Sequence, residues 1–202
     1  MIVGFGKNIG VGKTTAARFA IEEFDGIRIA FGDALKEEAY NFVRSSGFFV
    51  EQSLFWGTQS DKEHLLRLRD SYCLSLLPCG LEDFCSYYDS GVYYITIRKF
   101  LQFWGTEFRR AQNPYYWIIK LAQRLKSNTN IFIDDVREIH EIQFIQSLGG
   151  KVILIERETP YSDSHCSEFP LPTILYDSNI LNTKTLTEFK SNVLSTIRGL
   201  YV

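Results

Sequence analysis

The sequence has few of the features that mark membrane proteins, zinc sites or proteins that bind nucleic acid by charge. No window approaches the roughly 18 consecutive apolar residues of a membrane-spanning helix. The net charge is −2, which argues against binding nucleic acid by charge alone. The four cysteines lack zinc-site spacing, and the three histidines do not cluster. We therefore expect neither a membrane nor a nucleic acid as a partner.

The amino terminus carries no sign of a targeting sequence. It begins with the strand-like run Met1–Val3 and has no basic region, no apolar stretch of signal length and no cleavage site. Free thiols suit a reducing compartment. We therefore expect a cytoplasmic protein, and a length of 202 residues predicts a single domain or a domain with an insertion.

Short apolar runs alternate with segments of helical periodicity along the chain. The strand candidates are Ile2–Phe5, Gly26–Ala30, Asn130–Asp134, Lys151–Glu156 and a run near Ile174–Ile180. The helix candidates are Thr14–Phe24, Asp33–Ser45, Lys62–Leu77, Thr96–Gln112, Tyr115–Lys126, Glu138–Ser147 and Thr185–Arg198. This alternation predicts an α/β fold in which a five-stranded parallel sheet is flanked by helices. Residues 32–129 are predicted to form a helical, substrate-binding insertion over the carboxyl ends of the strands, within one domain of residues 1–202.

A glycine-rich segment, Gly6–Thr15, joins the first strand to the first helix. Such glycines let backbone N–H groups point at phosphate oxygens, beside the partial positive charge of a helix N-terminus. Lys13 would reach the β- and γ-phosphates of ATP, and the Thr14 hydroxyl would hold Mg²⁺. The predicted ATP-binding residues are Lys7, Asn8, Gly10, Val11, Gly12, Lys13, Thr14 and Thr15.

Two points about this segment stay open. Lys7 stands where the usual pattern has its first glycine, so the loop is either one residue longer than usual or lacks that glycine. The alternative to a phosphate loop is a glycine-rich turn that only starts a helix.

The helix candidate Thr96–Gln112 carries a polar stripe. At about 100° per residue, one face, predicted to be the core face, holds Phe100, Leu101, Trp104, Phe108 and Ala111. Another face holds Arg98, Gln102, Gly105 and Arg109, with Thr106 at its edge. Arginines with an amide, a hydroxyl and a glycine indicate a surface for an anionic ligand. The alternative is the solvated polar face that most helices have.

Acidic and basic residues follow the third strand candidate. Asp134 or Asp135 would hold Mg²⁺ beside a phosphate loop, and Arg137 would neutralise phosphoryl charge. Glu141 lies a short distance further along the chain. The alternative is that Asp135 caps the next helix with Glu138 as its partner in a capping box.

Four residues are candidates on position alone. After the second strand, Asp33 is a candidate N-cap, and Lys36 faces either a ligand or solvent. Arg157 and Asn182 stand where contacts with adenine would occur.

Together these residues resemble the deoxynucleoside monophosphate kinases of bacteriophages. The matching pieces are Gly12-Lys13-Thr14, Asp33–Glu37, Leu101-Gln102, Gly105-Thr106-Glu107, Trp117, Asp135-Val136-Arg137 with Glu141, Gly149-Gly150 and Val152–Glu156. A further matching segment holds Asp163, His165, Ser167 and Glu168. The resemblance covers most of the chain in order and is thinnest between Gly47 and Tyr94. It implies a P-loop nucleoside monophosphate kinase that transfers the γ-phosphoryl group of ATP to a dNMP, with Mg²⁺ as cofactor.

The resemblance also implies roles for individual residues. The implied substrate-binding residues are Asp33, Lys36, Arg98, Gln102, Thr106, Trp117, Asp135, Arg137 and Glu141. The implied catalytic residues are Lys13, Arg98, Arg137, Asp135, Arg109 and Arg110, and the metal contacts are Thr14 and Asp134. The family pattern favours Arg110 after Gly-Thr-Glu, whereas the helical wheel favours Arg109, so both stay candidates.

Two alternative functions stay open at this stage. One is a kinase of the same fold for another small phosphorylated acceptor, such as phosphomevalonate. The other is a nucleotide-binding switch, although the arginine stripe argues against it because a switch needs no second phosphate site. In the kinase prediction the partners are ATP and a dNMP, a homodimer is compatible with the sequence, and a viral chain would act in the host cytoplasm.

Overall fold

The computed structural model describes residues 1–6, 10–45, 49–58, 60–69, 81–158 and 171–201. The chain divides into two compact units, one of Met1–Phe31 with Ile118–Val202 and one of Gly32–Trp117. A single domain with an insertion over residues 32–129 stays a prediction. Within the described residues, every helix is too short or too polar to cross a bilayer.

The first unit contains a parallel sheet with helices between most of its strands, and the second unit contains both helices and an antiparallel sheet. The strands are β1 (Ile2–Gly6), β2 (Gly26–Ile29), β3 (Leu65–Arg69), β4 (Tyr87–Asp89), β5 (Val92–Thr96), β6 (Asn130–Val136), β7 (Lys151–Glu156) and β8 (Ser178–Leu181). The α-helices are α1 (Lys13–Phe24), α2 (Phe31–Ser45), α3 (Gln52–Trp56), α4 (Ile97–Gln102), α5 (Tyr116–Ala122), α6 (Ile139–Ser147) and α7 (Leu186–Leu200).

The first unit contains the predicted five-stranded parallel sheet, which is confirmed. The strand order is β2-β6-β1-β7-β8, and each neighbouring pair runs parallel. Strand β1 is central, so the loop after it begins in the middle of the carboxyl edge. The last strand is Ser178–Leu181, and a 3₁₀ turn covers Thr173–Leu175, so the strand predicted near Ile174–Ile180 was placed too early.

Helices cover both faces of this sheet. Val3 and Phe5 of β1 share a buried cluster with α1 and α7. Gly4 points to the opposite face, where a Cβ would lie 2.9 Å from Ile145 of α6. Strand β1 is therefore buried on both sides, which explains its unbroken apolar sequence.

The second unit contains a three-stranded antiparallel sheet of order β3-β5-β4, so the predicted helical insertion is only partly helical. The predicted helix Lys62–Leu77 is wrong over Leu65–Arg69, and its residues 70–77 lie outside the described part of the chain. Leu66 and Leu68 are buried, whereas Leu65 is 42% exposed, which is the alternation of a strand. Leucine and arginine also favour helices, which is why the sequence misled.

The helix predicted over Thr96–Gln112 changes type within its length. Thr96 caps α4 by accepting a hydrogen bond from the Lys99 N–H at 3.2 Å, and Phe103–Arg110 then forms a π-helix. A π-helix adds one residue to each hydrogen-bonded turn, so residues drift relative to an α-helical wheel. The side chains at 100, 103, 104 and 108 are buried, but Ala111 is exposed, so its predicted core position is wrong.

Candidate active site

The described part of the predicted phosphate loop contains two glycines in a left-handed conformation and ends at a helix N-terminus without a side-chain cap. Gly10 and Gly12 have φ angles of 80° and 107°, which favour glycine. Gly12 is the N-cap of α1, with no side-chain capping bond and no acidic residue in the first turn. The cap of α1 therefore supplies no side-chain acceptor to the first N–H groups of the helix, which suits an anion-binding helix end. Lys7 and Asn8 lie outside the described residues.

The three residues that follow Gly12 differ in exposure. Lys13 is only 8% exposed. Thr14 is exposed, and Thr15 is partly buried. The Thr14 hydroxyl is therefore accessible to a ligand at the start of α1.

Tyr176 and Asn182, from the last part of the sequence, lie close to Gly6 and Val11 at the two ends of the predicted loop. A Cβ on Gly6 would lie 2.5 Å from the Tyr176 ring, so only glycine fits at this end of β1. Asn182 is buried, and its Nδ2 donates to the Val11 carbonyl at 2.8 Å. Gly6 is the last residue of β1, and Tyr176 packs against it. Asn182 contacts the backbone of the loop.

Asp134 lies near the end of β6, beside the central strand. Its Oδ1 is buried and forms an ion pair with Arg28 Nε at 2.9 Å, but this oxygen accepts no hydrogen bond. Within the described ranges, no group of three His, Cys, Asp or Glu residues could hold a metal. Mg²⁺ commonly uses one or two protein oxygens together with phosphate oxygens and water. The Asp134 oxygen that accepts no hydrogen bond and the exposed Thr14 hydroxyl fit that donor set.

Asp135 points to a different partner. Strand β6 has an irregular register against β1, because Gly4 pairs with Ile133 whereas Gly6 pairs with Val136. Oδ1 of Asp135 accepts a hydrogen bond from the Phe31 N–H at 2.9 Å, at the first residue of α2. This carboxylate therefore supports the N-terminus of α2, where negative charge is favourable.

The helix after β6 is capped differently from the predicted alternative. The capping box joins Glu138 with Glu141, so the assignment of Asp135 as the cap with Glu138 as its partner is wrong. Oε2 of Glu141 accepts from the Arg137 N–H at 2.7 Å and from the Glu138 N–H at 3.1 Å. Glu141 is 2% exposed and orders the turn that carries Arg137, which is partly buried.

In the second unit, glutamates pair with two arginines of the predicted stripe. Arg98 Nε donates to Glu63 at 2.6 Å. Arg109 Nε donates to Glu38 Oε1 at 2.5 Å, and its Nη2 contacts the same oxygen. The two guanidinium side chains are 26% and 24% exposed, so each keeps a surface for a ligand.

Glu38 bonds three side chains at once. Besides Arg109, it accepts from Trp104 Nε1 at 3.2 Å and from the Tyr116 hydroxyl at 2.7 Å. The Arg109 guanidinium also lies over the Phe108, Tyr116 and Trp104 rings at 4.5, 5.0 and 5.4 Å from their centroids. Burial, then the hydrogen bond to Glu38, raises the pKa of Tyr116.

Gly105 is approached by protein side chains. A Cβ there would lie 3.0 Å from Leu35 of α2. The Gly105 carbonyl accepts from Trp117 Nε1 at 2.9 Å, and Trp117 is 2% exposed. Trp117 therefore holds the π-helix in this conformation and presents almost no surface to a base.

The other predicted substrate residues are partly buried. Asp33 lies in the first turn of α2 with Lys36 one turn on, and Gln102 and Thr106 flank the start of the π-helix. Arg110 is also partly buried. The partners Glu38, Glu63, Arg28 and Tyr176 were missed, and no motif in the sequence marks them.

The chain is similar to known proteins. A family model described as "Deoxynucleotide monophosphate kinase" matches residues 81–193. The chain is 30% identical over 213 aligned residues to "Putative deoxynucleotide monophosphate kinase" of Acanthamoeba polyphaga mimivirus. That alignment covers 98% of this chain and 96% of the relative.

Proposed function

Because the chain belongs to the deoxynucleotide monophosphate kinase family, we propose that it transfers the γ-phosphoryl group of ATP to a deoxynucleoside monophosphate. The products would be ADP and a dNDP. Membership makes the chain a phosphotransferase. The ATP donor and the dNMP acceptor are the proposed parts.

The observation that carries the donor half is the start of α1. An uncapped helix N-terminus, two left-handed glycines and a buried Lys13 together suit a triphosphate. The loop N–H groups bind the phosphates, and Lys13 reaches the β- and γ-phosphates. The proposed contacts also include Lys7, Asn8, Val11 and Thr15.

Mg²⁺ would supply neutralisation of phosphate charge when it is bound with ATP. Thr14 and Asp134 are the residues that would hold it, because the Thr14 hydroxyl is exposed and one Asp134 oxygen accepts no hydrogen bond. Arg28 beside Asp134 offsets part of the negative charge when no cation is present.

The acceptor half rests on arginines. Arg98 with Arg109 or Arg110 binds the phosphate of the dNMP, since guanidinium groups pair with phosphate oxygens. Gln102 and Thr106 form hydrogen bonds with the base and the sugar, and Asp33 and Lys36 are further contacts. Trp117 orients the π-helix through the Gly105 carbonyl.

Arg137 neutralises charge on the transferred group. Glu141 orders the turn that carries it, as its bond to the Arg137 N–H indicates. Asp135 is a further proposed contact of the acceptor, and its carboxylate accepts a hydrogen bond from the Phe31 N–H. In-line placement and charge neutralisation carry this reaction, so removing one such group costs rate more than stability.

The test is a coupled kinase assay on Lys13→Ala. We expect kcat/KM with ATP and the best dNMP to fall at least about 100-fold, as when one preorganised charge-stabilising donor is lost. Lys190→Ala is the matched control, because Lys190 is a surface lysine of the first unit that pairs with Glu22 at 3.4 Å. Near-normal turnover in Lys13→Ala would contradict the proposal.

A further inference from the structure

Asn182 follows β8 and is one of the few buried polar residues in the described part of the first unit. It is 8% exposed. Its backbone N–H donates to the Glu156 carbonyl at 2.7 Å, which fixes it to the end of β7. Its side-chain Nδ2 donates to the Val11 carbonyl at 2.8 Å. The sheet therefore anchors this amide against the phosphate loop.

The bond to Val11 orients one peptide group of the loop. The Val11 carbonyl and the Gly12 N–H belong to the same peptide plane, and no peptide bond in the described chain is cis. In a trans peptide the C=O and N–H point in opposite directions. By holding the carbonyl, Asn182 fixes the Gly12 N–H in the opposite direction, away from itself. Backbone N–H groups of such a loop are the donors to a bound phosphate.

Without that bond this peptide would be free to rotate. Gly10 and Gly12 flank Val11, and glycine rotates between conformations at little cost. A Cβ on Gly12 would lie 2.7 Å from Asn182 Nδ2 and 3.3 Å from the Phe189 ring. The glycine that the fit requires therefore also makes the loop easy to deform, and Asn182 offsets this.

We propose that Asn182 is a positioning residue that orders the phosphate loop for the triphosphate of ATP, and that it acts through the Val11–Gly12 peptide without contacting adenine. This inference rests on the proposed use of ATP. It makes a distinction that can be measured, because a loop-ordering residue affects every triphosphate equally, whereas an adenine contact affects only nucleotides with that base.

The experiment is calorimetric titration of Asn182→Ala with ATP and, separately, with inorganic tripolyphosphate, both with Mg²⁺. We expect the two affinities to fall by the same factor, about tenfold, as for one lost hydrogen bond of ordinary strength. A loss for ATP alone would assign Asn182 to adenine and overturn the inference. Unchanged affinity for both ligands would overturn it as well.

Asn130→Ala is the matched control. The Asn130 amide also donates to a backbone carbonyl, that of Phe24 at 2.5 Å, but it lies at the amino end of β6, away from the loop. We expect both affinities to be unchanged in Asn130→Ala at a temperature well below its unfolding midpoint. An equal loss in this control would show that general destabilisation explains the effect and would overturn the inference.

A second variant covers the case in which Asn182→Ala does not fold. Asn182→Ser keeps a hydroxyl donor on a shorter side chain, and the same equal loss for both ligands is expected. If the unchanged protein bound neither ligand, the proposed function itself would fail. If it bound both but the variants matched it, only the role of Asn182 would fail.

Discussion

Glu38 pairs with Arg109, one of the two arginines that are candidates for the acceptor phosphate. It accepts hydrogen bonds from Arg109, Trp104 and Tyr116, so Arg109 already has a partner in the structure. A quarter of the Arg109 side chain is still exposed, so the same group can order the π-helix and meet a phosphate. Arg109 therefore remains a candidate for the acceptor phosphate beside Arg110.

Glu38→Ala should destabilise the protein by about 1–3 kcal/mol, because partly buried donors lose their acceptor. The free energy of unfolding in urea measures this. Arg44→Ala, at an exposed position of the same helix, is the control and should change stability by less than about 0.5 kcal/mol. Equal stability of the two variants would contradict the role given to Glu38.

Single residues differ in how far the sequence predicts them. Lys13 and Thr14 stand in a local pattern whose spacing carries its own physical reason. Asn182 and Val11 are 171 positions apart, and Glu38 and Arg109 are 71 apart. Such contacts depend on how the chain folds back, and no local pattern reveals them.

Asp177 connects three elements of the first unit. Its carboxylate accepts from the Val152 N–H of β7 at 2.9 Å, from Gln146 of α6 at 3.1 Å and from Lys151 at 3.1 Å. Burial alone would raise the pKa of Asp177, but these three donors outweigh it and hold the pKa below its ordinary value. The ionised form therefore stabilises the packing of β7, α6 and the segment before β8.

Asp177→Asn should lower the free energy of unfolding at pH 7 by about 1–2 kcal/mol. Because the folded pKa is lowered, this stabilisation is present above the ordinary aspartate pKa of about 4 and is lost as the pH falls through the lower folded value. The gap between variant and parent should therefore close towards pH 2 in urea titrations. Asp89→Asn, on the exposed strand β4, is the control. A stability difference between Asp177→Asn and the parent that stays constant with pH would contradict the account.

Elements with strong local patterns were predicted well, and those set by pairing were not. Strand β7 was predicted with its observed bounds, Lys151–Glu156. Leu65–Arg69 combines helix-favouring residues with alternating burial, and its pairing with β5 makes it a strand. The π-helix at Phe103–Arg110 has no sequence signal. It changes the face of the helix on which the following residues of that same helix lie.

For the whole molecule, the order of apolar runs was enough to predict the parallel sheet, because helical connections between strands leave few other arrangements. The antiparallel sheet of the second unit lay where the pattern was poorest. The family follows from the comparisons. The proposed donor half of the site rests on the start of α1. The central claim is that the acceptor is a deoxynucleoside monophosphate.

The most direct test follows the γ-phosphoryl group itself. ATP labelled in that group is incubated with the protein, Mg²⁺ and each of the four dNMPs, and the products are separated. The account predicts label in the dNDP of at least one of them and no such product without a dNMP. Label that reaches only inorganic phosphate with every dNMP would contradict it and would favour a slow nucleotide switch.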